Sequence, residues 1–209
     1  MNFLFPLIWL LGACFAIDEI KIGFQGMHAD NRRVTYKAEG DGFQLDALCE
    51  DGFCFQFYFR NDPTNVEYVK TGLSPLHSRV MKLFDSVEDD YHVCGMDNLY
   101  NSVTFCKRAW NHKRELNVHG VTRKCMRGIP GCVVQEEKKS QKKQLEVRGT
   151  TKSAVLKGYP NWPDLIATIV YDTKPVHYLS MSSEELKWVV CEKDVYNVDT
   201  GAKEPLQFL

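Results

Sequence analysis

Residues 3–17, FLFPLIWLLGACFAI, carry no charge, and an uncharged stretch of that length has few places to go. It falls short of the ~20 residues that a membrane-spanning helix needs. It is long enough for the apolar part of a signal peptide, and Cys14-Phe15-Ala16 is an acceptable small-x-small cleavage end. However, Met1 and Asn2 bring none of the positive charge that normally precedes such a segment. The other destination is a folded core, in which case Phe5, Ile8 and Trp9 are expected to be buried. Immediately downstream, Ile20, Ile22 and Phe24 alternate with Lys21 and Gly23, the pattern of a strand. On that reading Asp18 is a carboxylate set into an otherwise buried strand. The stretch by itself leaves both readings open.

The remaining chain is long and apolar enough to weigh them. Its 209 residues, 44% apolar and 12% aromatic, suffice for one large domain or a domain with a subdomain. A net charge of −1 hides a strong asymmetry: −7 over residues 1–106, +9 over 107–152 and −3 over 153–209. An acidic body with a basic middle suits a carboxylate site beside a polyanion-binding surface, and equally a solvated basic loop. The eight cysteines form no C-x-x-C pair and no zinc spacing with histidine. Several lie in apolar strand-like runs, so buried free thiols in a reducing compartment are expected.

Periodicity divides the chain. Strand-like runs at 43–48 and 53–59 flank CEDG, a hairpin connection ending in glycine. A basic loop bearing Arg32, Arg33 and Lys37 precedes them. Leu76, Val80, Leu83, Phe84 and Val87 then fall on one face of a helix that Ser74 caps and Pro75 opens. A short strand at 91–96, a helix over 102–110 with Val103, Cys106 and Trp110 on one side, and a strand at 116–121 follow. The order predicts an α/β layer with a mixed sheet. Beyond Pro130 a charged connector, EEKKSQKKQ, leads to helix-free strand-like runs at 145–156, 165–171, 176–181 and 186–198, with an apolar end at 206–209.

Two acids stand out by placement. Asp18 lies in the first strand, and Asp97 at the C-terminal end of a strand expected beside it. Carboxylates at adjacent strand ends suit Mg²⁺ or Mn²⁺, which prefer oxygen ligands. Asp97 would serve equally to cap the turn before its helix. Glu88, Asp89 and Asp90 follow a helix and read as a solvated end, and Glu50 and Asp51 as turn residues.

Four segments carry a resemblance. AIDEIKIGFQG, CGMDNLYNS, HGVTRKCMRGIP and VYDTKPVHYLSM resemble, in order, four motifs of the piggyBac-type transposase catalytic domain. LFPLIW resembles the segment that precedes the first of them. The third departs from the family pattern, with Val121 and Thr122 in the reverse order. The resemblance implies a ribonuclease-H-like mixed sheet with helices over 1–134, the catalytic core. A β-rich insertion region would follow over 135–209. It implies a triad of aspartates holding Mg²⁺ or Mn²⁺, with Asp18 the first and Asp97 the second. Asn197-Val198-Asp199 is the one stretch similar to the third-acid motif. Its following Thr-Gly reads as a hairpin turn, which places the third acid beyond Leu209 and makes the chain a truncated fragment, inactive by itself.

DNA is the implied partner, with a homodimer in an intact relative and the nucleus as the compartment. No membrane span is expected, and the secretory pathway is the alternative should the apolar run act as a signal. Arg123, Lys124 and Arg127 match the family's DNA-contacting turn. Lys138, Lys139, Lys142 and Lys143 read as a solvated loop or a further DNA contact, and Trp110, Trp162 and Trp188 as core aromatics or stacking platforms. Three functions remain: a transposase-derived catalytic segment, a non-catalytic DNA-binding remnant, and a secreted β-rich protein. Whether the chain is an enzyme stays open.

Overall fold

The computed structural model describes residues 11–33, 40–62, 73–87, 92–111, 116–124, 126–134, 148–156 and 164–181, with residue 156 and residues 189–196 and 203–208 described by backbone alone. Phe5, Ile8, Trp9, the acids at 88–90, the lysines at 138–143, Trp162, Trp188 and Asn197-Val198-Asp199 lie outside the described residues. The chain forms two compact units, Met1–Tyr100 with Phe105–Val118, and Asn101–Thr104 with His119–Leu209.

The first unit is built on a mixed sheet of order β2-β3-β1-β5, with β4 also paired to β3. Strand β1 is Cys14–Gly23, β2 Arg32–Arg33, β3 Asp41–Glu50, β4 Phe53–Phe59 and β5 Val93–Met96. β1 runs antiparallel to β3 and parallel to β5. It starts earlier than the alternation from Ile20 suggests, because Phe15 and Ile17 already point into the core while Cys14, Ala16 and Asp18 point out. Ala16 pairs with both Cys49 and Gly95, so a cut after Ala16 would remove the part of β1 that begins the β5 ladder.

The β3–β4 hairpin turns on Asp51 (φ 46°) and Gly52 (φ 81°). Two successive positive φ values make the tight turn whose twist matches antiparallel strands. Arg32 and Arg33, expected in a loop, form a two-residue strand against Asp41 and Gly42.

Helix α1, Pro75–Phe84, follows its sequence signals closely. The Ser74 side chain accepts the His77 N–H at 3.2 Å, and Pro75 opens the first turn. Val80, Leu83 and Phe84 are fully buried, as is Val87 just beyond. Helix α2, Val103–Trp110, buries Val103, Phe105, Cys106 and Ala109. Phe84 links the layers, meeting Phe15 of β1 edge-on at 6.0 Å and Phe105 at 5.9 Å between ring centroids.

The second unit is an antiparallel array of order β6-β9-β8-β7. Here β6 is Asn117–Thr122, β7 Thr151–Leu156, β8 Leu165–Tyr171 and β9 Pro175–Met181. Strand β7 starts later than the run at 145–156, after a turn at Gly149 (φ 93°) whose N–H donates to Tyr171 O at 2.7 Å. Leu165, Ala167, Ile169 and Leu179 fill the core of this unit. Asn101, fully buried, donates from Nδ2 to Gly120 O at 2.8 Å and Leu179 O at 3.1 Å, tying β6 to β9. β10, Val189–Tyr196, and β11, Lys203–Phe208, pair as a separate antiparallel ribbon. Among the described residues, no helix is long and apolar enough to cross a membrane.

Candidate functional site

Asp18, on β1, and Asp97, the residue after β5, both follow the last pair of neighbouring parallel strands. The parallel ladder of β1 and β5 runs in register from Cys14↔Val93 to Ile17↔Met96, and the next residue on each chain is Asp18 and Asp97 respectively. Ile17 and Met96 are buried at 1% and 6% exposure, whereas both acids are exposed. That is the outcome of strand alternation: the residue after an inward one faces the other side.

One oxygen of each acid is held by backbone. Asp18 Oδ1 accepts the Glu19 N–H at 2.6 Å, and Asp97 Oδ1 accepts the Leu99 N–H. The second bond makes an Asx turn, closed further by Tyr100 N–H on Asp97 O at 3.3 Å. Asp97 thus performs the turn-capping task that its position before α2 suggested. The remaining Oδ2 of each acid bonds to no described residue. Two hard, exposed carboxylates fit the donor preference of Mg²⁺ or Mn²⁺. Among the described residues, however, no three His, Cys, Asp or Glu side chains come together as a metal site.

Behind β1 lies a charged cluster that sequence patterning did not single out. Asp46, on β3 opposite Glu19, is fully buried. Its Oδ1 accepts Arg60 Nε at 3.1 Å, Arg60 Nη2 at 3.0 Å and the Tyr100 hydroxyl at 2.7 Å. Its Oδ2 accepts Arg79 Nε at 2.5 Å. Arg60 also reaches Glu19 Oε2 at 3.4 Å, and Gln44 Nε2 donates to Glu19 Oε1 at 3.2 Å. Burial would lower the Arg60 pKa, but the Asp46 charge and hydrogen bond more than offset it and the guanidinium is held protonated. Burial, with the Asp46 charge, pushes the Tyr100 phenol well above its ordinary range. The cluster joins the strand of Asp18, through Glu19, to the turn of Asp97, through Tyr100. A polar residue at 46 within an apolar strand was the available signal.

A cavity of about 560 Å³ opens at the β2 end of this unit, lined by His28, Arg32, Arg33, Phe43, Phe59 and Arg60 among others. That volume lies in the ~300–1,000 Å³ range of small-ligand sites. Phe59 and Ile22 are 41% and 47% exposed beside it. By register, Phe43 and Phe59 share the sheet face of Ala47, the partner of Asp18. Arg32 and Arg33 are exposed on β2, where they pair with Gly42 and Asp41.

Arg123, Lys124 and Arg127 belong to the second unit. All three are exposed in the turn after β6, where Met126 N–H donates to Arg123 O at 3.0 Å and Gly128 takes φ 94°. His177, paired with Thr122, has its pKa lowered by burial and by the Lys124 charge. Arg148 is committed to Asp172, with Nε at 2.7 Å and Nη2 at 2.6 Å from Oδ1.

No family model and no curated protein matches the chain. Among solved structures, a cryo-EM structure of a piggyBac transposase synaptic complex with hairpin DNA matches with a TM-score of 0.66 at 21% identity. The match covers 92% of this chain and 36% of that one. The chain is piggyBac-like in fold. Within the piggyBac-like fold, AIDEIKIG lies on β1, and CGMDNLYNS runs from β5 into the turn before α2. HGVTRKCMRGIP starts on β6 and enters the basic turn, and VYDTKPVHYLSM spans the end of β8 and all of β9.

Proposed function

We propose that this chain is the catalytic-core segment of a transposase-like protein of the piggyBac type, acting on DNA in the nucleus. On this reading residues 1–134 form a ribonuclease-H-like core and residues 135–209 the β-rich insertion region. Asp18 and Asp97 are two acids of a divalent-metal site, and Arg123, Lys124 and Arg127 contact DNA phosphates. The observation that carries the reading is the register of β1 and β5, which brings two exposed carboxylates to the same step of adjacent parallel strands. The piggyBac-like fold and the order of the four motifs support it.

A bound Mg²⁺ or Mn²⁺ would supply a water of lowered pKa and stabilise the leaving oxygen in strand cleavage. The chain's own contribution is orientation: backbone N–H groups at Glu19 and Leu99 fix one oxygen of each acid, leaving the other for the ion. The basic turn neutralises phosphates independently of sequence. Two carboxylates are an incomplete set for two-ion chemistry, so these 209 residues alone are expected to hold one ion weakly and not to cut. The Asx-turn bond of Asp97 favours a second reading, a non-catalytic DNA-binding segment in which that acid is structural.

Titration with Mn²⁺, following the electron paramagnetic resonance signal of free ion, separates the two. We expect binding that Asp18→Asn and Asp97→Asn each weaken at least tenfold. Asparagine at 97 keeps the acceptor for Leu99 N–H, so the fold is retained. Unchanged affinity in both variants would overturn the metal site and leave the DNA-binding reading. Specific cleavage of a transposon-end substrate would reveal a third acid within the chain, and Asp199 is the first residue to test.

A further inference from the structure

The cysteines at 49 and 54 are neither proposed metal ligands nor DNA contacts, although Cys49 lies near enough to Asp18 to feel its charge. They face each other across the β3–β4 hairpin, directly paired in its antiparallel ladder. Both are free and half-buried, unlike Cys94 and Cys106, which are buried, and Cys14 and Cys132, which are exposed. The expectation of buried free thiols is met at Cys94 and Cys106, whereas Cys49 is only half-buried. Directly opposed residues of an antiparallel pair keep their Cα atoms ~4.5–5.5 Å apart. A disulfide spans ~4.4–6.8 Å between Cα atoms, so the ladder sets the two backbones at a separation that a bridge can span. The tight turn at Asp51 and Gly52 fixes the pairing of Glu50 with Phe53 and of Cys49 with Cys54, and the register shifts only beyond Cys49, at Leu48.

We propose that Cys49 and Cys54 form an oxidisable dithiol that a small-molecule disulfide such as glutathione disulfide closes into an intrachain bridge. Cys54 Sγ donates to Gln56 O at 3.8 Å, which holds that thiol within the hairpin beside Cys49. Either thiol can open the exchange once deprotonated, for instance Cys54. Its thiolate displaces one glutathione thiolate and leaves a mixed disulfide on Cys54. The Cys49 proton passes to the departing thiolate, and Cys49 sulfur then attacks Cys54 sulfur and releases the second glutathione. The protein loses two electrons and two protons, and one glutathione disulfide becomes two glutathione thiols.

Peptide mapping of the whole chain after exposure to glutathione disulfide and alkylation tests this without any substitution. We expect the peptide holding Cys49 and Cys54 to be lighter by two hydrogens, to escape alkylation and to recover both thiols with dithiothreitol. Cys49→Ser and Cys54→Ser should each leave the remaining thiol as a stable glutathione adduct that the parent chain does not accumulate. Alkylation of both cysteines in the oxidised parent chain, or glutathione on both with no bridge, would overturn the proposal. None of these readouts depends on metal or DNA binding.

Discussion

Asp46 satisfies two guanidinium groups and a phenol with one fully buried carboxylate. Removing such a hub differs from replacing it, because the partners stay behind without their counter-charge. Asp46→Ala is expected to destabilise the fold by roughly 3–5 kcal/mol, the cost of leaving buried cations uncompensated. Arg79, with 9% of its side chain exposed, accounts for more of that loss than Arg60 at 22%. Tyr100→Phe removes one bond to a charged acceptor and should cost about 1.5–3 kcal/mol. Urea denaturation of the three proteins gives both numbers. A loss below that of Tyr100→Phe in the alanine variant would mean that water replaces Asp46 at little cost. The hub tethers the strand of Asp18 to the turn of Asp97, so these stabilities bear on the acids' spacing as well.

The contact of β1 with β3 depends at one point on a missing side chain. A Cβ on Gly42 would lie 2.1 Å from Ile22 O and 2.9 Å from Ile22 C. Both atoms are backbone within the β1 ladder, so neither can swing aside as a flexible side chain would. Gly42→Ala must part the two strands locally, at a cost of about 1–3 kcal/mol for an overpacked site. Next to it, Phe24 N–H donates to Asp41 O at 3.1 Å, a bond that the same displacement would lengthen. Thermal melting should show a lowered midpoint, and hydrogen exchange should localise the loosening to the amides of residues 20–24, at the end of β1. A melting curve identical to the parent's would show that β1 and β3 separate there without strain.

At the scale of the whole molecule, charge is the property most open to measurement. A chain with a net charge of −1 holds +9 of local excess in residues 107–152, and three of those cations stand exposed in the turn after β6. If Arg123, Lys124 and Arg127 each displace one counterion, they contribute roughly −2.7 to the slope of log affinity against log salt on duplex DNA. Fluorescence anisotropy across a salt series should find that contribution absent when all three are alanine. A slope unchanged by the triple substitution would assign the affinity to other cations of the basic middle and exclude this turn from the interface.

Local elements were legible in the order of residues. Ser74 and Pro75 announced the start of α1, the spacing of Val80, Leu83 and Phe84 its buried face, and the turn residues the β3–β4 hairpin. Each rests on neighbours within a few positions, where a helical or strand period and a turn preference act directly. The placement of Asp18 on β1 and Asp97 after β5 was also readable, as acids next to apolar strand residues. What periodicity lacks is the identity of a distant partner. It marks Arg79 as polar on a mostly apolar helix without saying that Asp46, on another element, waits for it. It leaves Cys49 and Cys54 as two thiols in two strands until the turn register opposes them. Only the packing of β6 against β9 makes Asn101 the donor that both strands need. Sequence determines which face of an element is buried, because that is a local statement about water. Tertiary structure decides which buried groups meet, because a charge or hydrogen bond is satisfied only at one distance and by one partner.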